Sequence, residues 1–256
     1  MVLRIPCHIY ADVILGKLVS VVSESGCDCI ALSGGVDTSV ILLATRLAGL
    51  KPRGYVAFYR GGVPRDLPYV IYLSKQLSID VKYVIIDYGD VKDLINSVVE
   101  CIGEENIDSH GDGGCIEIRN DIVFYATLKR AKEDGCKCVF IGSGGDEVFA
   151  GYNFMLSLTG EELTKAIEKM SRSRFSELQV AKCLNIEVSA PLLNPEIVKI
   201  AMKIPTDCLR SQLMRGKEIL RLILNSHGLD LVGERIKTPA ESGAGTKEIC
   251  KSILDN

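Results

Sequence analysis

The chain spells one pattern twice. Gly26 to Asp37 reads Gly-Cys-Asp-Cys-Ile-Ala-Leu-Ser-Gly-Gly-Val-Asp, and Gly135 to Asp146 reads Gly-Cys-Lys-Cys-Val-Phe-Ile-Gly-Ser-Gly-Gly-Asp. Each copy holds a Cys-x-Cys pair, a short apolar run, a glycine-rich turn and an aspartate in the same register. An apolar run that stops at a glycine turn and enters a helix is the pattern of a buried parallel strand. Open α/β sheets bind their ligands outside the carboxyl ends of the strands. Two matching strand ends therefore set two acidic side chains, Asp37 and Asp146, facing one anion-binding loop. Such an arrangement suits a nucleotide and its metal ion.

The rest of the first half repeats the alternation. Strands are expected at Cys29 to Leu32, Gly54 to Tyr59, Val81 to Asp87 and Cys138 to Ile141. Helices are expected at Asp37 to Leu50, after Pro68, from about Val91 to Cys101 and from about Glu117 to Glu133. Strand–helix alternation means βαβ units and a parallel sheet with helices on both faces. After Asp146 the spacing turns helical at Phe149 to Leu158, Glu161 to Met170, Phe175 to Leu184, Glu196 to Ile204 and Lys217 to Asn225, and no strand is expected there. The expected organisation is α/β: a nucleotide-binding core over 1–145, and a helical substrate-side region over 146–256 packed directly on it as one continuous unit.

Composition excludes several classes. The 256 residues are 47% apolar and 25% charged, as in ordinary globular proteins. A net charge of −3 argues against bulk electrostatic binding of nucleic acid. No apolar run reaches the roughly 18 residues of a spanning helix, and Met1 to Tyr10 lacks a signal-peptide pattern, so membrane is excluded and the cytoplasm is the expected address. The ten cysteines contain no Cys-x-x-Cys. Most are expected to be small buried hydrophobes. Period-two alternation would put Cys27 and Cys29 on one strand face and Cys136 and Cys138 likewise, so neighbouring strands would allow a cross-strand disulfide. A four-thiolate metal site is the weaker alternative. Intracellular disulfides are rare outside hyperthermophiles.

Ser33-Gly34-Gly35-Val36-Asp37-Thr38-Ser39 stands where a strand becomes a helix. Its glycines let backbone N–H groups approach an anion, the helix N-terminus adds favourable potential, and Ser33, Thr38 and Ser39 add hydroxyl donors. The segment resembles the PP-loop of ATP pyrophosphatases. Gly142-Ser143-Gly144-Gly145-Asp146-Glu147-Val148-Phe149-Ala150-Gly151-Tyr152 resembles the Gly-x-Gly-x-Asp-Glu-x-Phe-x-Gly-Tyr element of the asparagine synthetase family. Ala190 to Pro195, Lys217 to Arg221, and Arg235 to Lys237 with Gly243 and Gly245 follow in that family's order. The resemblance implies an adenine-nucleotide α-hydrolase (HUP, PP-loop) sheet and an ATP- and Mg²⁺-dependent ligase. Such an enzyme adenylates a carboxylate, aspartate or a similar acid, releases pyrophosphate, and lets an amine attack. It further implies Asp37 and Asp146 as magnesium ligands, and Lys217 and Lys237 as catalytic cations beside Asp146. Gly34, Gly35, Gly142, Ser143, Gly144, Gly145 and Glu147 would line the nucleotide site, with Ala57, Phe58 and Tyr59 toward the adenine. The plainer alternatives are helix N-capping for the aspartates and solvated surface charge for the lysines.

Departures from the family pattern set the open points. Family members carry an N-terminal glutaminase domain with a terminal cysteine nucleophile; none is read here, and Cys7 is not terminal. Ammonia is therefore expected from solution or from a separate glutaminase subunit. Ser143 stands where the family often has a carboxylate, and Asn194 replaces an aspartate. A PP-loop tRNA-modifying enzyme and a non-catalytic ATP-binding regulator remain as other readings, and homodimerisation is open. His8, His110 and His227 have no partner at catalytic spacing, though His110 lies in a glycine-rich loop at the open end of the sheet. Lys165, Glu168, Lys169, Arg172 and Arg174 read as a solvated helix face.

Overall fold

The computed structural model describes residues 6–107, 112, 114–211 and 215–250. His110 lies outside them. The chain opens on a helix that the alternation above does not include, α1 (Cys7–Glu24). Its buried positions Ala11, Ile14, Leu15, Leu18 and Val22 follow one another at gaps of three, one, three and four, one stripe of a helix laid on the core. Burying each large side chain contributes on the order of 2 kcal/mol, which keeps α1 docked. Then come β1 (Cys29–Ala31), α2 (Val36–Leu47), β2 (Arg53–Tyr59), α3 (Leu67–Gln76), β3 (Val81–Ile86), α4 (Val91–Ile102), the short α5 (Glu104–Ile107), α6 (Cys115–Glu133) and β4 (Cys138–Phe140). Pro68 sits in the first turn of α3, where its missing N–H costs nothing.

The second half holds α7 (Gly145–Val148), α8 (Asn153–Leu156), α9 (Gly160–Met170), α10 (Ser176–Leu184), β5 (Glu187–Ser189), α11 (Pro195–Ala201), α12 (Thr206–Leu209), α13 (Glu218–Ser226), α14 (Asp230–Gly233) and α15 (Ala240–Ala244). Two expectations are corrected here. β5 is a strand where none was expected, three residues paired parallel to β4 through Val139 and Val188. So short a run is invisible to periodicity and exists because the edge of β4 offers it a ladder. The expected helix over Phe149 to Leu158 shrinks to α8, because Ala150 takes a left-handed φ of 54° and breaks it. Asn194 caps α11, accepting the Glu196 N–H at 3.0 Å.

The sheet is parallel throughout, in the order β3-β2-β1-β4-β5. The chain runs outward from β1 to β3 on one side, then crosses to β4 on the other. The order reverses between β1 and β4, the crevice where sheets of this kind hold ligands. Alternate strand residues feed two cores. Ile30, Val56 and Phe140 join α1, α2 and α13 on one face. Tyr55, Ala57 and Val139 join α4, α6 and α10 on the other.

All ten cysteines are bridged: Cys7–Cys208, Cys27–Cys138, Cys29–Cys136, Cys101–Cys183 and Cys115–Cys250. The bland expectation for the cysteines is thereby overturned, and so is their facing. Cys27 and Cys138 lie in the first core, Cys29 and Cys136 in the second. Alternation fails because β1 begins only at Cys29 and β4 only at Cys138, so Cys27 and Cys136 lie outside the strands. Each Cys-x-Cys pair straddles the sheet, and the two bridges clamp β1 to β4 from both faces. A four-thiolate metal site is excluded, since these sulfurs are bonded to one another.

Candidate active site

The loops after β1 and β4 lie side by side at the switch point and floor a cavity of about 840 Å³. Gly34 turns the first loop with a left-handed φ of 62°, and a side chain there would collide with Tyr69. Ser33 accepts the Gly35 N–H at 3.2 Å, and Thr38 accepts the Ser33 N–H at 3.3 Å. Ser39 is fully buried and spends its hydroxyl on the Gly35 carbonyl at 2.6 Å. It braces the loop rather than facing the cavity.

Asp37 and Asp146 each occupy the second position of a helix, the first turns of α2 and α7. Neither caps its helix. Both carboxylates turn instead toward the ammonium of Lys217, at 2.7 Å from Asp37 and 3.0 Å from Asp146. Lys237 donates to Asp146 at 2.6 Å and to the Gly151 carbonyl at 3.2 Å. Gly145 is required here, because a Cβ would strike the Asp37 carboxylate. Lys217 is only 6% exposed and has a left-handed φ of 61°, strained for a lysine, which aims its side chain inward from the start of α13. The capping and surface-charge alternatives fall for Asp37, Asp146 and Lys217, while the Lys237 side chain is half exposed.

Charge follows this geometry. Burial alone would push the Lys217 ammonium down, but Asp37 and Asp146 together hold it above its ordinary value. Burial, helped by repulsion from Asp146, raises Asp37 against the pull of Lys217. Burial also acts on Asp146, yet two lysines outweigh it and hold that carboxylate low. One oxygen of Asp37, Oδ1, is buried with no partner. Two facing carboxylates with an orphaned oxygen are a hard donor set, fitted to Mg²⁺.

Around this centre the structure sorts the remaining sequence candidates. Gly35, Ala57, Gly142, Ser143 and Glu147 line the cavity. Gly34, Gly144 and Gly145 shape its turns from behind. Phe58 and Tyr59 do not reach it: Tyr59 packs into the second core as the strand alternation dictates. Glu147 accepts a short bond from the Tyr152 hydroxyl, and burial raises its carboxyl.

Arg235 and Arg221, placed in family motifs by the sequence but given no role there, and Asp66, Asp121 and Glu177, which the sequence left unmarked, complete the site. Arg235 reaches back to the first loop, donating to the Gly34 carbonyl at 2.8 Å, pairing with Asp66 and stacking 4.0 Å over the Tyr69 ring. Burial pushes Asp66 up to about 6 despite that partner. Arg221, 3% exposed, donates to the carbonyls of Gly216, Gly233 and Arg235 and so ties the Lys217 and Lys237 segments together. Asp121 and Glu177 approach from α6 and α10. Ser143 donates a short hydrogen bond to Glu177. A carboxylate thus stands beside the serine that replaces one. Arg174, read as part of a solvated face, borders the cavity, whereas the Lys165–Glu161 and Arg172–Glu168 pairs do lie on such a face.

A glycine loop at the switch point of a parallel sheet, with two carboxylates and two lysines converging on it, gives an α/β protein whose site suits a polyanion and its counter-cation. Residues 28–185 match the profile of the Asparagine synthase family, and the chain belongs to that family. It is 30% identical to a Methanocaldococcus jannaschii protein provisionally named asparagine synthetase (glutamine-hydrolysing) 1, over 88% of this chain and 47% of that one. The chain thus spans about half the length of that relative. Among solved structures it is similar to an NMN synthetase from Francisella tularensis, with a TM-score of 0.38 and 13% identity over 78% of this chain and 94% of that one. That likeness is too distant to bear on the site. No described helix is long and apolar enough to cross a membrane.

Proposed function

We propose that the protein is an ATP-dependent amide-forming ligase that adenylates a small-molecule carboxylate, releases pyrophosphate and transfers the acyl group to ammonia. The observation that carries this reading is the cluster of Asp37, Asp146, Lys217 and Lys237 at the mouth of the Ser33–Ser39 loop. In it, backbone N–H groups of the loop and the α2 N-terminus bind the phosphates. Asp37 and Asp146 would hold Mg²⁺, which when bound offsets phosphate charge. Lys217 and Lys237 then turn from the aspartates toward the α-phosphorus, where negative charge grows as the carboxylate attacks. Val56 and Ala57 bound the adenine side.

Glu177 supports a catalytic role over a regulatory one, because it restores an acidic group at Ser143. The nitrogen is ammonia, free or released by a glutaminase, and the cytoplasm, with its ATP pool, is the setting. The test is pyrophosphate release from ATP, Mg²⁺ and ammonium with and without aspartate or other carboxylates. Release should require the carboxylate. Asp37→Asn and Asp146→Asn should each lower turnover by about a thousandfold or more. Near-normal turnover in either variant would sink the two-carboxylate site.

A further inference from the structure

A loop that receives phosphates must turn its N–H groups toward them and its carbonyls away. Glycines leave the backbone free to present either, so other contacts have to choose between them. In the Ser33–Ser39 loop the carbonyls of the turn are taken up by the protein itself. Gly35 accepts the Ser39 hydroxyl at 2.6 Å and the Ser39 N–H at 3.1 Å. Gly34 and Ser33 both accept from Arg235 Nη1, at 2.8 Å and 3.4 Å. The first N–H groups of α2, as at any helix start, have no partner within their helix.

Arg235 borders the cavity, and charge alone would make it a further phosphate-binding cation. Its guanidinium is committed elsewhere. It is 7% exposed, pairs through Nη2 with Asp66 Oδ1 and lies 4.0 Å over the Tyr69 ring. These partners are themselves held in place. Tyr69 packs against Gly34, where a Cβ would meet its side chain. The Asp66 N–H donates to the Gly243 carbonyl at 3.0 Å, and a Cβ on Gly243 would strike the Asp66 carboxylate. Resting on the nucleotide-binding function proposed above, we infer that Arg235 is a positioning residue, fixed by Asp66 and Tyr69, that holds the Ser33 and Gly34 carbonyls away from bound phosphates. A lysine would keep the charge but lacks the planar, forked donor set that this task needs.

Calorimetry on the full chain with magnesium pyrophosphate and with adenosine tests this at about pH 8, where Asp66, pushed up to about 6, is ionised. Arg235→Lys and Asp66→Asn should each weaken pyrophosphate binding by about tenfold or more and leave adenosine affinity within about twofold of wild type. The sign for Asp66→Asn decides the matter. Removing a negative charge beside an anion site strengthens binding if charge alone acts, or if Arg235 is freed to grip the phosphate directly. Unchanged or tighter pyrophosphate binding in Asp66→Asn therefore overturns the inference. So does a parallel loss of adenosine affinity, which marks a merely structural role. The double variant should bind pyrophosphate no more weakly than the weaker of the two single variants, because the pair acts as one unit, and additive losses count against that unit. If Arg235→Lys fails to fold, the near-isosteric Asp66→Asn carries the test alone. Failure of the wild type to bind pyrophosphate would refute the nucleotide-site reading itself, and this inference with it.

Discussion

Lys217 shows how much one side chain carries. Its ammonium is the counter-charge for two carboxylates that would otherwise repel one another in a buried space. Lys217→Met should therefore cost about 3–5 kcal/mol in chemical denaturation. The gap to wild type should narrow at low pH, because protonating either aspartate removes the repulsion. Asp121 makes the opposite prediction. Burial, opposed by Ser176 and Arg174 and reinforced by Glu177 and Glu117, raises its carboxyl to about 7. A raised carboxyl contributes stability below its unfolded value, near 4, and loses it as pH rises through 7. Asp121→Asn should match wild type at pH 4 and exceed it above pH 7 by as much as about 4 kcal/mol. A parallel pH dependence in the two proteins would refute that ionisation. Asp37 and Asp146 were legible from their shared register, but Asp121 was not, since nothing in the α6 sequence marks a residue whose partner arrives 55 positions later.

At the scale of elements, the two bridges between β1 and β4 invite a direct test. Each closes a loop with a sequence separation of 111 or 107 residues. Once one is formed, the other closes only a few residues. On chain entropy, removing either bridge should cost about 2 kcal/mol, and removing both about 6–7 kcal/mol. Equal and additive costs, measured with Cys→Ala pairs, would overturn the loop argument. The strand–helix series to β4 was readable because each element carries its own apolar run and most end at a glycine. The α1 stripe is equally present in the sequence, ahead of the strand–helix alternation, whereas β5, three residues long, has no signal apart from its neighbour.

Across the whole molecule, the bridges link segments that the sheet alone leaves apart: α1 to α12, α4 to α10, and the start of α6 to Cys250. Reduction before heating should lower the melting temperature by about 20 °C or more. If the protein uses ATP inside the cell as proposed, five bridges point to a hyperthermophile source, where such bridges persist. The unreduced protein should accordingly melt above about 90 °C. Alkylation of the denatured chain checks the premise: all ten thiols should label only after reduction.

The sequence by itself determined the parallel α/β class, both glycine loops, the two aspartates at matching helix positions and the membership those motifs announce. These are local, each encoded by residues within a few positions of one another. Only the tertiary structure decided how the site is assembled around those aspartates. Lys217, Lys237, Arg235, Asp121 and Glu177 come from distant segments, and their convergence depends on packing across the sheet. The repeated spelling shows the same division. Its glycine-aspartate halves kept one register into one site, while its Cys-x-Cys halves, whose first cysteines lie ahead of the strands, went to opposite faces of the sheet.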